Sequence, residues 1–258
     1  MNSSLAIASI VIKELYRRKD FYVLFILTAV LTISLGSINF FNDDRIVRFV
    51  KEACLLLIWI ALLTIALTTS ARQIPMECES RTIFPLLAKP VSRWDVVLGK
   101  FIGCWAACGI ALLVFYLFFA VISGGKEHTW PLLNYFQAAW LHWVFLAVVI
   151  AMALLGSVVF AAPSSNSTIC FVVVIGILFV ARHLNQVAMQ EPEPLSSVIY
   201  TFYYLLPHLE FFDVRDLIIH GAALIPWGPW ALASLYGMAY ALLFLMVGWV
   251  AFRRKALN

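Results

Sequence analysis

The sequence predicts an all-α membrane protein with six transmembrane helices, and three observations carry that reading. Of its 258 residues, 63% are hydrophobic and only 12% are charged, whereas a soluble domain carries about 25% charged residues and about 45–50% apolar ones. Six segments offer the roughly 20 mostly apolar residues that a helix needs to cross a bilayer. Their apolar runs are continuous, unlike the alternating strands of a membrane barrel, and a helix satisfies its own backbone in lipid.

The elements follow in order. Residues 1–20 form a basic N-terminal helix: Leu5, Ile7, Ile10, Val11, Leu15 and Tyr16 recur near helical spacing beside Lys13, Arg17, Arg18 and Lys19. That pattern suits a helix lying in the headgroup layer with Lys13, Arg17 and Arg18 as anchors; a plain extension of the first span is the other reading. The spans are Phe21–Phe41, Ala53–Ala71, Phe101–Ser123, Phe136–Ala162, Ser167–Ala188 and Trp230–Phe252. The fifth is the weakest, because Arg182 and His183 follow its short apolar part. The first run is too long for a signal-peptide core, so it is read as a span. Cys54, Cys104, Cys108 and Cys170 lie in or at the edge of apolar runs and Cys78 in a loop, which suits reduced thiols.

Charge sets the orientation. Lys13, Arg17, Arg18, Lys19, Arg72, Arg81, Lys89, Arg93, Lys100, Arg253, Arg254 and Lys255 fall on one side, twelve of the 18 Lys and Arg residues. Lys and Arg are enriched on the cytoplasmic side, so both termini and the 72–100 loop are expected in the cytoplasm. The 190–229 stretch then lies outside. It is rich in Tyr, Phe and Trp, which favour the membrane interface, and reads as short re-entrant or interfacial helices before the last span.

Absences narrow the chemistry. The chain has no GxxxxGK[ST] loop for ATP phosphates, no HExxH and no GxSxG. No span carries Asp, Glu, Lys or Arg near its middle, where ion-coupled carriers place their ionisable groups. His142 in the fourth span is the one candidate for a secondary transporter. His208, Glu210 and Asp213, beside Pro207, are the candidates for a membrane-embedded or lipid-modifying enzyme, though a structural turn explains them as well. No cofactor, metal site or nucleic-acid partner is expected on this chain.

The 72–100 loop mixes charged and apolar residues closely. Ile83, Phe84, Leu86 and Leu87 fit a short helix that Pro90 ends, and Ser92 with Asp95 three residues on fits a helix cap. The loop carries Glu79, Arg81-Thr82, Leu86-Leu87-Ala88, Pro90-Val91-Ser92-Arg93 and Gly99-Lys100. In these residues it resembles the ABC-2 type permeases of ATP-binding-cassette transporters; Pro85 departs from their pattern. The segment from Tyr203 to Asp213 resembles the family's outer segment before the last span. The resemblance implies a permease, an exporter, in the bacterial cytoplasmic membrane; a protein that acts mechanically on a partner is the other reading of its apolar spans. It implies that two copies, or a copy and a paralogue, pair in the lipid above two cytosolic ATPase subunits that hold the ATP and Mg. Residues 77–89 would be the coupling helix, with Glu77, Glu79, Arg81, Thr82, Phe84, Leu87 and Lys89 at the ATPase contact. Tyr203, Tyr204, Pro207, Glu210 and Phe211 would form the outer gate. A loop that only rests on the inner leaflet stays open as the alternative to docking.

Overall fold

The computed structural model describes residues 3–17, 19–37, 44–79, 92–127, 130–190 and 192–254. Each predicted span overlaps a helix among the described residues, in the order α1 (Ser3–Tyr16), α2 (Lys19–Ser37), α3 (Asp44–Ala71), α4 (Pro75–Glu79), α5 (Arg93–Glu127), α6 (Leu132–Val159), α7 (Pro163–Gln190), α8 (Leu195–Leu205), a 3₁₀ turn (Leu209–Phe212), α9 (Asp216–Ile219) and α10 (Trp227–Arg254). No strand occurs among the described residues. Five of these helical stretches are long and apolar enough to cross a membrane: Arg48–Glu79, Arg93–Gly125, Leu132–Val159, Pro163–Val180 and Trp227–Arg254. The 19-residue α2 covers most of the first predicted span.

Prolines set several starts. Pro75 and Pro163 open α4 and α7 and Pro131 precedes α6; proline lacks the N–H that a first helical turn leaves unpaired anyway. The helices outrun their apolar cores. α5 has 35 residues, about 52 Å at 1.5 Å per residue, against a hydrocarbon core of about 30 Å. Its first turns therefore stand clear of the apolar layer.

α6 is the central helix and packs against α10, α5, α3 and α7. Its contact with α10 uses one stripe, Gly237, Ala241, Leu245, Gly248 and Phe252, all buried. Spacings of three and four keep those residues on one face, and small residues let membrane helices approach closely. The α6–α7 turn is pinned by Asn166, whose Nδ2 donates to the Ala153 carbonyl at 2.9 Å. Hydroxyls along α3 bond within their own helix: Thr64, Thr68 and Thr69 donate to the carbonyls of Ile60, Thr64 and Ile65. None of the five cysteines is in a disulfide, and only Cys78 is not buried.

The starts of α1 and α5 and the end of α10 come together at one end of the bundle, called here the basic end; α8, the 3₁₀ turn and α9 cap the other, aromatic end. Those three short helical pieces occupy the predicted re-entrant stretch, and none is long enough to cross a membrane. The predicted helix over Ile83–Leu87 lies outside the described residues. The short helix observed in the loop is α4, just ahead of it.

Candidate functional site

The basic end is organised by the first two turns of α5. Ser92 and Asp95 form the expected capping box: the Asp95 backbone N–H donates to Ser92 Oγ at 3.1 Å, and the Ser92 backbone N–H donates to Asp95 Oδ2 at 3.1 Å. Each side chain thus takes up a donor that the helix start leaves open. The Ser92 hydroxyl also donates to Oδ2 at 2.6 Å. The second carboxylate oxygen, Oδ1, accepts from Ser4 Oγ of α1 at 3.0 Å, so the cap is also a tether.

α1 runs beside α5 in the same direction. Its Ile7, Ala8, Val11 and Leu15 are buried, while Leu5, Ile10, Lys13 and Arg17 are exposed on the rest of its surface. The buried stripe lies on Gly99 and Gly103. A Cβ at Gly99 would stand 2.7 Å from the Ser4 carbonyl oxygen, and one at Gly103 would stand 2.7 Å from Val11 Cβ. Those separations are well inside van der Waals contact, so the α1 backbone sits where any larger residue would be. Arg18, the third expected anchor, lies outside the described residues.

Arg93 reaches the far end of the chain. Its Nη1 donates to the carbonyls of Phe252 at 2.6 Å and Arg253 at 3.0 Å, and its guanidinium lies 5.5 Å from the centre of the Phe252 ring. A cation there satisfies the orphan carbonyls of the α10 C-terminus and suits the negative end of its dipole. Trp94 meets Trp249 edge-on at 5.9 Å.

Lys100 completes the group. The side chain is 2% exposed, and Nζ donates to Glu77 Oε1 at 2.6 Å, to the Gln73 carbonyl at 2.9 Å and to Gln73 Oε1 at 3.3 Å. Three donors meet three acceptors, the full capacity of an ammonium. Gln73 is itself oriented, because its Nε2 donates to the Thr69 carbonyl at 3.3 Å. Removing one partner of such a buried pair costs about 3–5 kcal/mol, since the other charge stays behind unpaired.

Of the expected ATPase-contact residues, Glu77 is therefore engaged inside the chain and Glu79 is exposed at the end of α4. Arg81, Thr82, Phe84, Leu87 and Lys89 lie outside the described residues.

The aromatic end holds the expected gate residues. Tyr203 lies 4.4 Å from the His208 ring, centre to centre, Pro207 is buried, and Tyr204 and Phe211 are exposed. Glu210 is half-buried within the 3₁₀ turn. Asp213 takes the Arg215 guanidinium with both oxygens, at 2.7 and 2.9 Å. That bond raises the Arg215 pKa above its ordinary value, while burial pulls the other way. The segment is held down by side chains of α6 and α10. Gln137 pairs with both backbone groups of Ile225, donating at 2.9 Å and accepting at 3.0 Å. Asn134 donates to the carbonyls of Leu217 and Ala222, both at 3.0 Å. The His208 backbone N–H donates to the Tyr236 hydroxyl at 2.9 Å. With Asp213 committed to Arg215 and the His208 ring packed among Tyr203, Phe211 and Tyr236, the arrangement is that of a folded cap. Among the described residues no three His, Cys, Asp or Glu side chains gather as a metal set.

His142 is buried between α3, α5 and α6. Its Nδ1 lies 3.3 Å from the Tyr116 hydroxyl, and its ring packs against Trp59 and Phe145.

Residues 3–257 match the family described as ABC-2 family transporter protein. The chain belongs to that family. No curated protein matches it. Membership makes it a multi-pass membrane permease of the ABC class, a transport subunit rather than an enzyme, working with an ABC ATPase. In this ABC-2 permease the motif residues Ser92, Arg93, Gly99 and Lys100 all converge on the basic end: Ser92 caps α5, Gly99 seats α1, Arg93 holds the end of α10 and Lys100 holds Gln73 and Glu77. Sequence reasoning missed Gly103, Asn134, Gln137 and Tyr236 as structural partners. Two signals were visible: the GxxxG spacing of Gly99 and Gly103, and two amides three residues apart at the mouth of an apolar run.

Proposed function

We propose that the chain is the membrane subunit of an ABC exporter, in which a separate ATPase subunit docks on the 72–100 loop and drives the bundle through α5. The observation that carries this reading is the junction at the start of α5. Both flanks of the loop, Glu77 on one side and Ser92 to Lys100 on the other, are fastened to that helix, and the same two turns hold α1 and the end of α10. A push on the loop therefore reaches three other elements through one rigid helix. The basic end then faces the cytoplasm of a bacterial inner membrane, with both termini inside. Two permease copies, or one and a paralogue, sit over two ATPase subunits that bind ATP and Mg. Glu79, Arg81, Thr82, Phe84, Leu87 and Lys89 form the contact, apolar anchors with charges flanking them in sequence, a composition that suits protein interfaces. The residues of the aromatic end, Tyr203, Tyr204, Pro207, Glu210 and Phe211, serve as the outer gate.

The test is the loop itself. Phe84→Asp and Leu87→Asp are expected to abolish co-purification of the ATPase subunit while leaving the permease folded. Retention of the ATPase with undiminished permease-stimulated ATP hydrolysis would sink the docking assignment.

A further inference from the structure

We propose that Lys100 and Glu77 form a latch between α4 and α5: Lys100 is the fixed keeper, Glu77 the movable catch, and opening this pair is a step in passing motion from the loop to the spans. The inference rests on the permease reading and deepens it by naming the positioning residues.

The two halves of the pair are unequal. Lys100 is 2% exposed and has all three N–H donors engaged; the Glu77 side chain is 27% exposed. Glu77 Oε1 takes the ammonium, but Oε2 is buried with no hydrogen-bond partner among the described residues. A carboxylate in that state loses little by swinging outward into water, because it regains hydration for both oxygens. Lys100 keeps the two Gln73 oxygens when Glu77 leaves. The ammonium also stays at the end of α3, where the last carbonyls carry partial negative charge. Separation therefore leaves the ammonium hydrogen-bonded to Gln73 but without its counter-charge, and the carboxylate in water, so the cost falls on Lys100 and the closed pair is the resting state.

The rest of α4 is short, with Cys78 packed against the core. It is one turn long and Pro75 is its only fully buried residue. Its backbone is tied to the preceding turn by Met76 N–H to the Arg72 carbonyl at 3.1 Å and Cys78 N–H to the Ile74 carbonyl at 3.1 Å. By contrast α5 has a tethered cap, a glycine seat for α1 and the Arg93 bond to α10. The catch sits on the short element and the keeper on the long one.

The experiment uses the full permease in lipid nanodiscs, alone and with its cognate ATPase subunit, as wild type, Glu77→Gln, Lys100→Met and the double variant. In the permease alone, amide hydrogen exchange over residues 75–79 is expected to rise at least tenfold in each single variant. The double variant is expected to exchange no faster than Lys100→Met, because one interaction is lost in all three. In the complex, the variants are expected to retain the ATPase subunit and to lose at least tenfold of the permease-dependent stimulation of ATP hydrolysis. Unchanged exchange at 75–79 overturns the latch while leaving the permease reading standing. Additive effects of the two substitutions, or faster exchange with stimulation at the wild-type level, overturn it too. Failure of the wild-type permease to hold any ATPase subunit overturns the permease reading itself, and the latch with it.

Discussion

Gly99 and Gly103 are the residues on which the basic end depends most sharply. Each occupies a point where the backbone or β-carbon of α1 lies against α5, so the absent side chain is the contact. At Gly99 the obstacle to any Cβ is the Ser4 carbonyl oxygen at 2.7 Å, a backbone atom that moves only if α1 moves. Gly99→Ala is expected to destabilise the permease by about 1–3 kcal/mol, the usual cost of overpacking, despite alanine's better helix propensity. Thermal unfolding in detergent measures it, and Gly125→Ala, where nothing lies within 4 Å of the new carbon, is the control that should be neutral or slightly stabilising. Equal midpoints for the two variants would refute the seat. Ser4→Ala removes only the hydroxyl that reaches Asp95, and a loss of about 1 kcal/mol is expected, the net worth of one hydrogen bond.

Among the elements, α10 shows how the chain's last turn is bound to its middle. Arg93 holds two carbonyls at the end of α10, so Arg93→Ala is expected to fray that end. Amide exchange over residues 250–254 should rise several-fold, with the rest of α10 unaffected. The Ser92–Asp95 cap was legible because it is local: a hydroxyl, a three-residue interval and a carboxylate suffice. The helices were legible because an apolar run of span length has one backbone solution in lipid. Their ends were not. α3 begins at Asp44 and α5 at Arg93, through charged turns that no apolar window includes. Nor could sequence disclose that Arg93 serves α10, 159 residues away, or that Lys100 meets Glu77 across 23 residues. Those pairings depend on which helices become neighbours, and spacing along one helix carries no trace of that. Asn134 and Gln137 look like ordinary interface residues until the cap they hold is in place.

For the whole molecule, the source of energy is written in where charge is missing. None of the six predicted spans carries Asp, Glu, Lys or Arg along its apolar run, and the charged contacts of the basic end gather at the ends of helices. An ion-driven carrier needs groups at depth that bind and release the ion. Here His142 alone would have to serve, and it sits 3% exposed in an aromatic setting of Trp59, Tyr116 and Phe145. A side chain so enclosed contributes by packing and by its contact with the Tyr116 hydroxyl. His142→Gln keeps a polar group of similar size, so it is expected to leave permease-dependent ATP hydrolysis within about twofold of wild type, while a substituted latch or loop abolishes it. Dissipating the proton gradient across sealed proteoliposomes should leave that ATP hydrolysis unchanged in both proteins. A tenfold loss in His142→Gln with normal assembly, or a requirement for the gradient, would move the energy source from the basic end to the middle of the bundle and restore the secondary-transporter reading.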